Sequence, residues 1–300
     1  MKILITGSNG LVGSQLMKEL SKNHKVEGFD LVGGQNILDY EQCLSHCKGK
    51  DLVIHCAAVL EEENPALKTV NVQGTKNILN ASIKSNVPRF IFLSTTGVYG
   101  DCKEKVDEKS EFDLVTEYEK SKAEAEAFLR TKKPEININI IRPAIIVADN
   151  KYWKSIISLV KKNFPLIGSG KNKWQTVFID DVVDAISFII QKNPTNEDFI
   201  VAEEAPITLN EVVLTIKETL GLPKRIFHFP FFLAFPFFLL YGLLASLVNK
   251  KTIISAAYIK RLSRNRNYSV DKLKKLGFTP KYNFKTAIKL VLIKLKVANR

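Results

Sequence analysis

Short apolar runs and amphipathic segments alternate along the first two thirds of the chain. The runs are rich in Ile, Val, Leu and Phe, which is typical of strands buried on both faces of a parallel sheet. Between them, apolar residues recur at the spacing of one helix face. The predicted strands are 3–5, 25–30, 51–56, 89–93, 136–142, 176–179 and 199–202, and the predicted helices include 11–20, 65–81 and 112–130.

This alternation predicts the fold class. Strand and helix follow one another through residue 202, which favours an α/β fold with a doubly wound parallel sheet, the Rossmann architecture. We assign residues 1–202 to a nucleotide-binding domain, with segments near 150–175 contributing to a second lobe. Residues 203–300 are predicted to form that smaller, mostly helical lobe, which would bind the substrate.

A glycine-rich turn joins the first predicted strand to the first predicted helix. Gly7, Gly10 and Gly13 stand between the apolar run 3–5 and the bulk of the helix 11–20. Glycines let the backbone approach a pyrophosphate, and the N–H groups at a helix start attract negative charge. The turn therefore predicts a nucleotide site, although an ordinary glycine turn remains the alternative.

An acidic residue closes the second predicted strand. Asp30 lies about 20 residues beyond the glycine turn, where an acid accepts hydrogen bonds from the adenosine ribose and repels a 2′-phosphate. This position favours NAD over NADP as the cofactor. The alternative is a solvated acid in a loop.

Charge and cysteine content exclude several classes of protein. The net charge is +13, but no helix-turn-helix, zinc or RNA-recognition motif accompanies it, so we expect no nucleic-acid partner. Cys43, Cys47, Cys56 and Cys102 lack the spacing of metal ligands, which predicts reduced thiols and no metal. No basic leader precedes the first strand, and we expect a cytoplasmic protein.

One apolar stretch, residues 229–248, is long enough to cross a membrane. Pro230 and Pro236 interrupt it and basic residues flank both ends, which argues against a simple span. A buried helix of the substrate lobe and a patch that dips into the bilayer remain, and we favour the patch. The lysine-rich helix predicted at 284–297 also suits an anionic membrane surface.

A tyrosine and a lysine four residues apart on a helix share one face. Three such pairs occur: Tyr99/Lys103, Tyr118/Lys122 and Tyr268/Lys272. Only Tyr118 lies on a predicted helix after a strand that ends in hydroxyl residues, 94–96. A lysine ammonium favours the phenolate and lowers a tyrosine pKa from about 10. The second pair therefore predicts a proton shuttle for alcohol–ketone interconversion.

The chain resembles the extended short-chain dehydrogenases/reductases, the NAD-dependent epimerase/dehydratase superfamily. The matching motifs are TGSNGLVG at 6–13, HCAA at 55–58, NVQGT at 71–75, STTGVYG at 94–100, YEKSK at 118–122, IRP at 141–143, FIDDVVDA at 178–185 and LGFTPK at 276–281.

The resemblance implies roles for particular residues. Tyr118 would be the acid/base, Lys122 its partner and a ribose ligand, and Thr95 would orient the reacting oxygen. The implied cofactor-binding residues are Gly7, Asn9, Gly10, Leu11, Val12, Gly13, Asp30, Ala57, Ala58, Ser94, Tyr118, Lys122, Arg142 and Pro143.

Two departures from the family pattern bear on the reaction. Thr96 and Gly97 stand where dehydratases of the superfamily carry an Asp-Glu pair, so dehydration is not expected. Trp174 stands where nucleotide-sugar enzymes place a diphosphate-binding arginine, and an indole cannot pair with phosphate in that way. Lys171 or Lys173 could supply point charges instead.

We therefore expect an NAD-dependent oxidoreductase that interconverts a secondary alcohol and a ketone on an apolar or lipid-linked small molecule. The apolar stretch makes the chain more similar to the 3β-hydroxysteroid dehydrogenase and dihydroflavonol-reductase-like branch than to the sugar epimerases. A nucleotide-sugar 4-epimerase with tightly bound NAD is the first alternative, and a non-catalytic NAD-binding scaffold or sensor is the second. Peripheral association with the cytoplasmic membrane face is expected, and a homodimer is left open.

Overall fold

The computed structural model describes residues 1–233 and 262–295, and its centre is a six-stranded parallel sheet. The sheet order is β2-β1-β3-β4-β5-β10, which confirms the doubly wound α/β architecture. The strands are β1 (Lys2–Thr6), β2 (Lys25–Phe29), β3 (Leu52–His55), β4 (Arg89–Leu93), β5 (Asn137–Pro143), β6 (Ile145–Val147), β7 (Leu166–Ile167), β8 (Lys173–Trp174), β9 (Thr176–Phe178), β10 (Asp198–Val201), β11 (Ile207–Thr208) and β12 (His228–Phe229).

Helices cover both faces of the sheet. Helices α1 and α6 pack together on one face, whereas α2, α3 and α4 pack on the other. The helices are α1 (Leu11–Leu20), α2 (Tyr40–Cys47), α3 (Thr75–Lys84), α4 (Glu117–Thr131), α5 (Lys151–Lys161), α6 (Ile179–Lys192), α7 (Leu209–Thr219), α8 (Asp271–Lys275) and α9 (Phe284–Lys294).

The alternation of side chains along each strand divides the core into two clusters. In β1, Ile3 and Ile5 join the cluster beneath α1 and α6, while Leu4 joins the cluster beneath α2 and α3. All three side chains are fully buried. Both faces of the strand therefore need apolar residues, which is why the strands read as unbroken hydrophobic runs.

The sheet changes winding direction at β1. This strand pairs with β2 on one side and with β3 on the other, so Thr6 lies beside both Phe29 and His55. The loops that follow these strands diverge to opposite faces and leave a crevice at the carboxyl edge, where ligands bind in open α/β sheets.

A smaller lobe is built from short strand pairs and helices beyond β5. Strands β6 and β9, β7 and β12, and β8 and β11 form three pairs. Helix α7 packs on α5 and α9, whereas α8 returns to β10 of the main sheet. The domain boundary at residue 202 stays a prediction, because one continuous apolar cluster joins the sheet to the lobe.

Some predicted boundaries were wrong. The helix predicted over 65–81 contains a π-helical turn, Thr69–Gly74, before α3 continues to Lys84. The helix predicted from Phe112 begins at Glu117, because Thr116 and Glu119 form a capping box that fixes its start. Residues 234–248 of the apolar stretch and 296–297 of the last predicted helix lie outside the described residues.

Candidate active site

The glycine turn after β1 forms a cradle that only glycine can close. Gly7 has a φ of +68°, and a Cβ atom there would lie 2.6 Å from the Ala57 nitrogen. A Cβ atom at Gly13 would lie 2.0 Å from the Gly7 carbonyl oxygen. The first amides of α1, at Leu11 and Val12, have no intrahelical acceptors because they begin the helix. The turn therefore fits a pyrophosphate.

Asp30 lies directly beside this turn. Its Oδ2 accepts the Asn9 backbone N–H at 3.0 Å, and its Oδ1 accepts the Val32 N–H at 3.0 Å. The carboxylate is thus held at the end of β2 with lone pairs left for further donors. The structure brings together the residues expected to hold the phosphates and the ribose of NAD.

A neutral histidine lies below the crevice. His55 shares hydrogen bonds with Thr6 Oγ1 at 2.6 Å and Thr75 Oγ1 at 2.8 Å. Full burial, together with the charge of Lys122, holds the pKa of His55 well below its usual value. This residue fixes the carboxyl ends of β1 and β3, after which Ala57 and Ala58 follow half-buried beside the glycine turn.

Lys122 is buried at the end of β4. Its Nζ donates to the Leu93 carbonyl at 2.6 Å and lies 4.0 Å from the centre of the Phe92 ring. Burial lowers the pKa of Lys122 from its usual 10.5 to about 8, although Glu126 and Cys56 oppose this shift. The Lys122 ammonium therefore contacts Leu93, which lies two residues before Thr95 along the chain.

Thr95 and the first turn of α4 are neighbours. Thr95 Oγ1 accepts the Gly97 N–H at 3.0 Å and so starts the turn Thr96–Tyr99. A Cβ atom at Gly97 would lie 3.2 Å from Thr95 Oγ1 and 3.4 Å from Glu119 Cγ. Tyr118 precedes Glu119 and shares a helix face with Lys122. The fold thus gathers the predicted catalytic residues at one edge of the sheet.

The Arg142 side chain lies in the core, and its role as a cofactor contact stays a prediction. Its side chain is fully buried, and its guanidinium donates to Glu126 at 2.9 Å and to Tyr99 Oη at 2.8 Å. The Ser94 hydroxyl also donates to Glu126, at 2.6 Å. Sequence reasoning missed this network because its members come from separate elements. Ser94 and Pro143 remain predicted cofactor contacts, both buried at the carboxyl edge.

Two further polar residues hold α4, the helix that carries Tyr118 and Lys122. Glu62 Oε2 accepts the backbone N–H groups of Glu117 at 2.9 Å and Tyr118 at 3.4 Å. Asn71 Nδ2 donates to Ser121 Oγ at 3.0 Å and to the Val59 carbonyl at 2.9 Å. No sequence pattern predicts the role of Glu62, whereas Asn71 belongs to the NVQGT motif.

Comparison with known proteins identifies the family of the chain. A sequence model of the NAD dependent epimerase/dehydratase family matches residues 3–202. The chain is 31% identical over 253 residues to a UDP-glucose 4-epimerase of Vibrio cholerae, covering 74% of this chain and 76% of that protein. It is 25% identical over 301 residues to the N-acetyl-alpha-D-glucosaminyl-diphospho-ditrans,octacis-undecaprenol 4-epimerase of Escherichia coli O157:H7, covering 93% and 91%.

A solved structure shows the same fold. The UDP-glucose 4-epimerase of Thermotoga maritima, crystallised with UDP-glucose, superposes with a TM-score of 0.79 at 22% identity and covers 99% of each chain. The glycine cradle and Asp30 fit the cofactor that the family description names. The chain is therefore an NAD-dependent enzyme that belongs to the epimerase/dehydratase family of extended short-chain dehydrogenases/reductases.

Proposed function

We propose that the enzyme is a 4-epimerase of a sugar joined through a diphosphate to a polyprenol. The observation that carries this proposal is an exposed aromatic surface on the smaller lobe of an epimerase-like chain. The near full-length similarity to the undecaprenol-linked epimerase supports it. The relatives favour sugar epimerisation over the general alcohol–ketone oxidoreductase, while the expected lipid-linked substrate is retained.

The aromatic surface lies around the pairing of β7 with β12, which sets Phe229 beside Ile167. Phe227 is 61% exposed and Phe232 is 72% exposed. Single exposed apolar residues are common, but a contiguous group marks an interaction surface. We call this group the aromatic face, and it comprises Phe164, Phe227, Phe229, Phe231, Phe232 and Leu233.

Basic residues border the aromatic face. Lys161 and Lys162 end α5 beside Phe164, and Lys224 and Arg225 precede Phe227; all four are exposed. Apolar side chains next to cations fit the surface of an anionic bilayer. Among residues 1–233 and 262–295, no helix is long and apolar enough to span a membrane.

An apolar cavity of about 110 Å³ adjoins the aromatic face between α5 and α7. Ile156, Leu166 and Val213 line it, and Phe164 and Phe227 belong to both the cavity and the face. This arrangement supports binding of part of a polyprenol chain next to the membrane surface.

A cation also lies beside Trp174, whose indole stands where nucleotide-sugar enzymes place a diphosphate-binding arginine. The Arg266 guanidinium carbon lies 5.0 Å from the centre of the Trp174 ring, and the Arg266 N–H donates to the Lys173 carbonyl at 2.8 Å. Arg266 is only 8% exposed. The absence of an arginine at position 174 is therefore weak evidence against a diphosphate substrate, because the guanidinium of Arg266 lies next to that position.

The catalytic residues suit a reversible oxidation of a secondary alcohol. The glycine cradle and Asp30 would hold NAD, whose chemistry would be to accept the hydride of the sugar carbon and return it. Tyr118 would take the proton of the 4-hydroxyl group and return it after the keto sugar has rotated to present its other face. Lys122 favours the phenolate, and Thr95 would orient the reacting oxygen. The proton and hydride are both returned, so the reaction consumes no cofactor.

The direct test is epimerisation of two purified substrates by the full-length protein. N-acetylglucosaminyl-diphospho-undecaprenol in detergent is expected to give the N-acetylgalactosaminyl product, detected by chromatography after mild acid hydrolysis. Tyr118→Phe is expected to bind NAD normally and to lose most turnover, about 1,000-fold. Faster conversion of UDP-N-acetylglucosamine would instead establish a nucleotide-sugar 4-epimerase, the function of the Vibrio cholerae relative.

A further inference from the structure

Residues 264–268 pass the carboxyl edge of the main sheet, beside the loop that follows β4. We call residues 264–268 the return segment. Its Asn265 carbonyl accepts the Cys102 N–H at 3.0 Å, and its Tyr268 N–H donates to Gln175 Oε1 at 2.6 Å. The segment therefore joins the loop after β4 to the lobe around β8.

One side chain of the return segment reaches the catalytic helix. Arg264 Nη1 donates to Glu119 Oε1 at 2.8 Å, and the two residues are 7% and 1% exposed. The other oxygen of Glu119 accepts the N–H groups of Val115 and Thr116, both at 3.0 Å. The carboxylate thus has three donors, which is what a buried charge requires.

Glu119 connects this ion pair to the catalytic residues. It follows Tyr118 in the first turn of α4 and packs close to Gly97, in the turn that Thr95 starts. A shift of the Glu119 carboxylate would therefore move the first turn of α4 relative to Thr95. Thr116 Oγ1 independently accepts the Glu119 N–H at 3.2 Å, so the helix keeps a cap without Arg264.

We propose that Arg264 is a positioning residue, which holds Glu119 and thereby sets Tyr118 against Thr95. This inference rests on the role of Tyr118 in the proposed function. It makes the return segment part of the catalytic assembly, although the Arg264 side chain itself takes no part in the reaction. Pre-organised geometry of this kind contributes to rate more than to substrate affinity.

The test compares Arg264→Gln, Arg264→Lys and Glu119→Gln with Arg89→Gln. Arg89 is a matched control because it is a half-buried arginine at the opposite end of β4, where it donates to the Ile190 carbonyl at 3.1 Å. Turnover is measured with whichever of the two N-acetylglucosamine substrates the wild type converts. NAD affinity, Tm and amide exchange of residues 117–122 are measured without substrate.

Arg264→Gln is expected to lower kcat about 100-fold while KM and the NAD Kd stay within about threefold. Arg264→Lys should restore about a tenth of the wild-type rate, because one donor remains. Amide exchange of residues 117–122 should rise in Arg264→Gln and Glu119→Gln, but not in Arg89→Gln. If Arg264→Gln changes Tm and leaves kcat and exchange at the control's values, the residue is structural and the inference is wrong.

The two proposals fail in different ways. If the wild type converts neither substrate, the proposed function is wrong, while exchange still decides whether Arg264 holds the first turn of α4. If the wild type is active and Arg264→Gln matches it in kcat and exchange, only the positioning role is overturned. Glu119→Gln covers the case in which Arg264→Gln does not fold, since it keeps the capping geometry and removes the charge.

Discussion

The carboxylate of Glu62 accepts the backbone N–H of Glu117 at 2.9 Å and joins the loop after β3 to the first turn of α4. Its Oε1 is buried without a hydrogen-bond partner among the described residues. An anion at this helix start satisfies unpaired N–H groups and interacts favourably with the helix dipole.

We expect Glu62→Ala to lower the free energy of unfolding by about 1 kcal/mol and to reduce kcat, because the amide of Tyr118 loses its acceptor. Glu62→Gln should lie close to the wild type, since its carbonyl oxygen accepts the same two N–H groups. Denaturant unfolding and turnover measure both effects. Equal losses in the exposed neighbour variant Glu61→Ala would show that the helix start is not the cause.

Lys122 predicts a pH-dependent cost to stability. Burial lowers its pKa to about 8 from 10.5, so between these pH values the unfolded chain binds more protons than the native protein and stability rises with pH. This lowered pKa corresponds to a net cost of about 3 kcal/mol for keeping the buried lysine charged at pH 7.

Lys122→Met is therefore expected to raise Tm at pH 7, and the gain should shrink as the pH rises from about 8 to 10.5. Thermal unfolding across this range measures it. The exposed Lys120→Met serves as control and should show no such trend. A gain that is independent of pH would mean that folding does not lower the pKa of Lys122.

The position of Asp30 predicts cofactor selectivity. Calorimetric titration should show tighter binding of NADH than of NADPH, because the carboxylate repels a 2′-phosphate. Asp30→Asn keeps an acceptor for the Asn9 N–H and removes the charge, so it should narrow the preference by about tenfold. Equal binding of both cofactors by the wild type would make Asp30 a structural residue of the turn.

The aromatic face predicts binding to lipid. Flotation with anionic liposomes should carry the wild type, and changing Phe227, Phe229, Phe231 and Phe232 to Ser should abolish this. Each buried Å² of apolar surface contributes about 25 cal/mol, so four rings dominate the binding. Leu38→Ser with Tyr40→Ser is the control, at residues that are each 36% exposed on the other domain. Flotation that survives the four Phe changes would place the contact elsewhere.

The sequence predicted most of the sheet because both faces of each central strand are buried. Helix α1 was predicted with its observed bounds, Leu11–Leu20, since the glycine turn marks its start. The start of α4 was placed too early, because helix propensity extended the pattern over residues that Thr116 and Glu119 exclude by capping. Local composition is a weaker guide to a helix end than hydrogen bonding.

The chemical partners of buried charges were not predictable from sequence. Arg142 is a predicted cofactor contact because of its place in a motif, but the motif gives no sign that its guanidinium pairs with Asp198, 56 residues away. Arg264 pairs with Glu119 across 145 residues. Such pairs depend on which segments the folded sheet brings together, and the periodicity of apolar residues along the chain does not predict these long-range contacts.

The return segment gives the enzyme an order of assembly. The Asn265 N–H donates to Asp101 Oδ1 across 164 residues, so this contact cannot form until residue 265 has been synthesised. The strands of the main sheet end at Val201, and N-terminal domains generally fold first during synthesis. A nascent chain can therefore hold a finished nucleotide cradle while α4 still lacks the contact of Glu119 with Arg264.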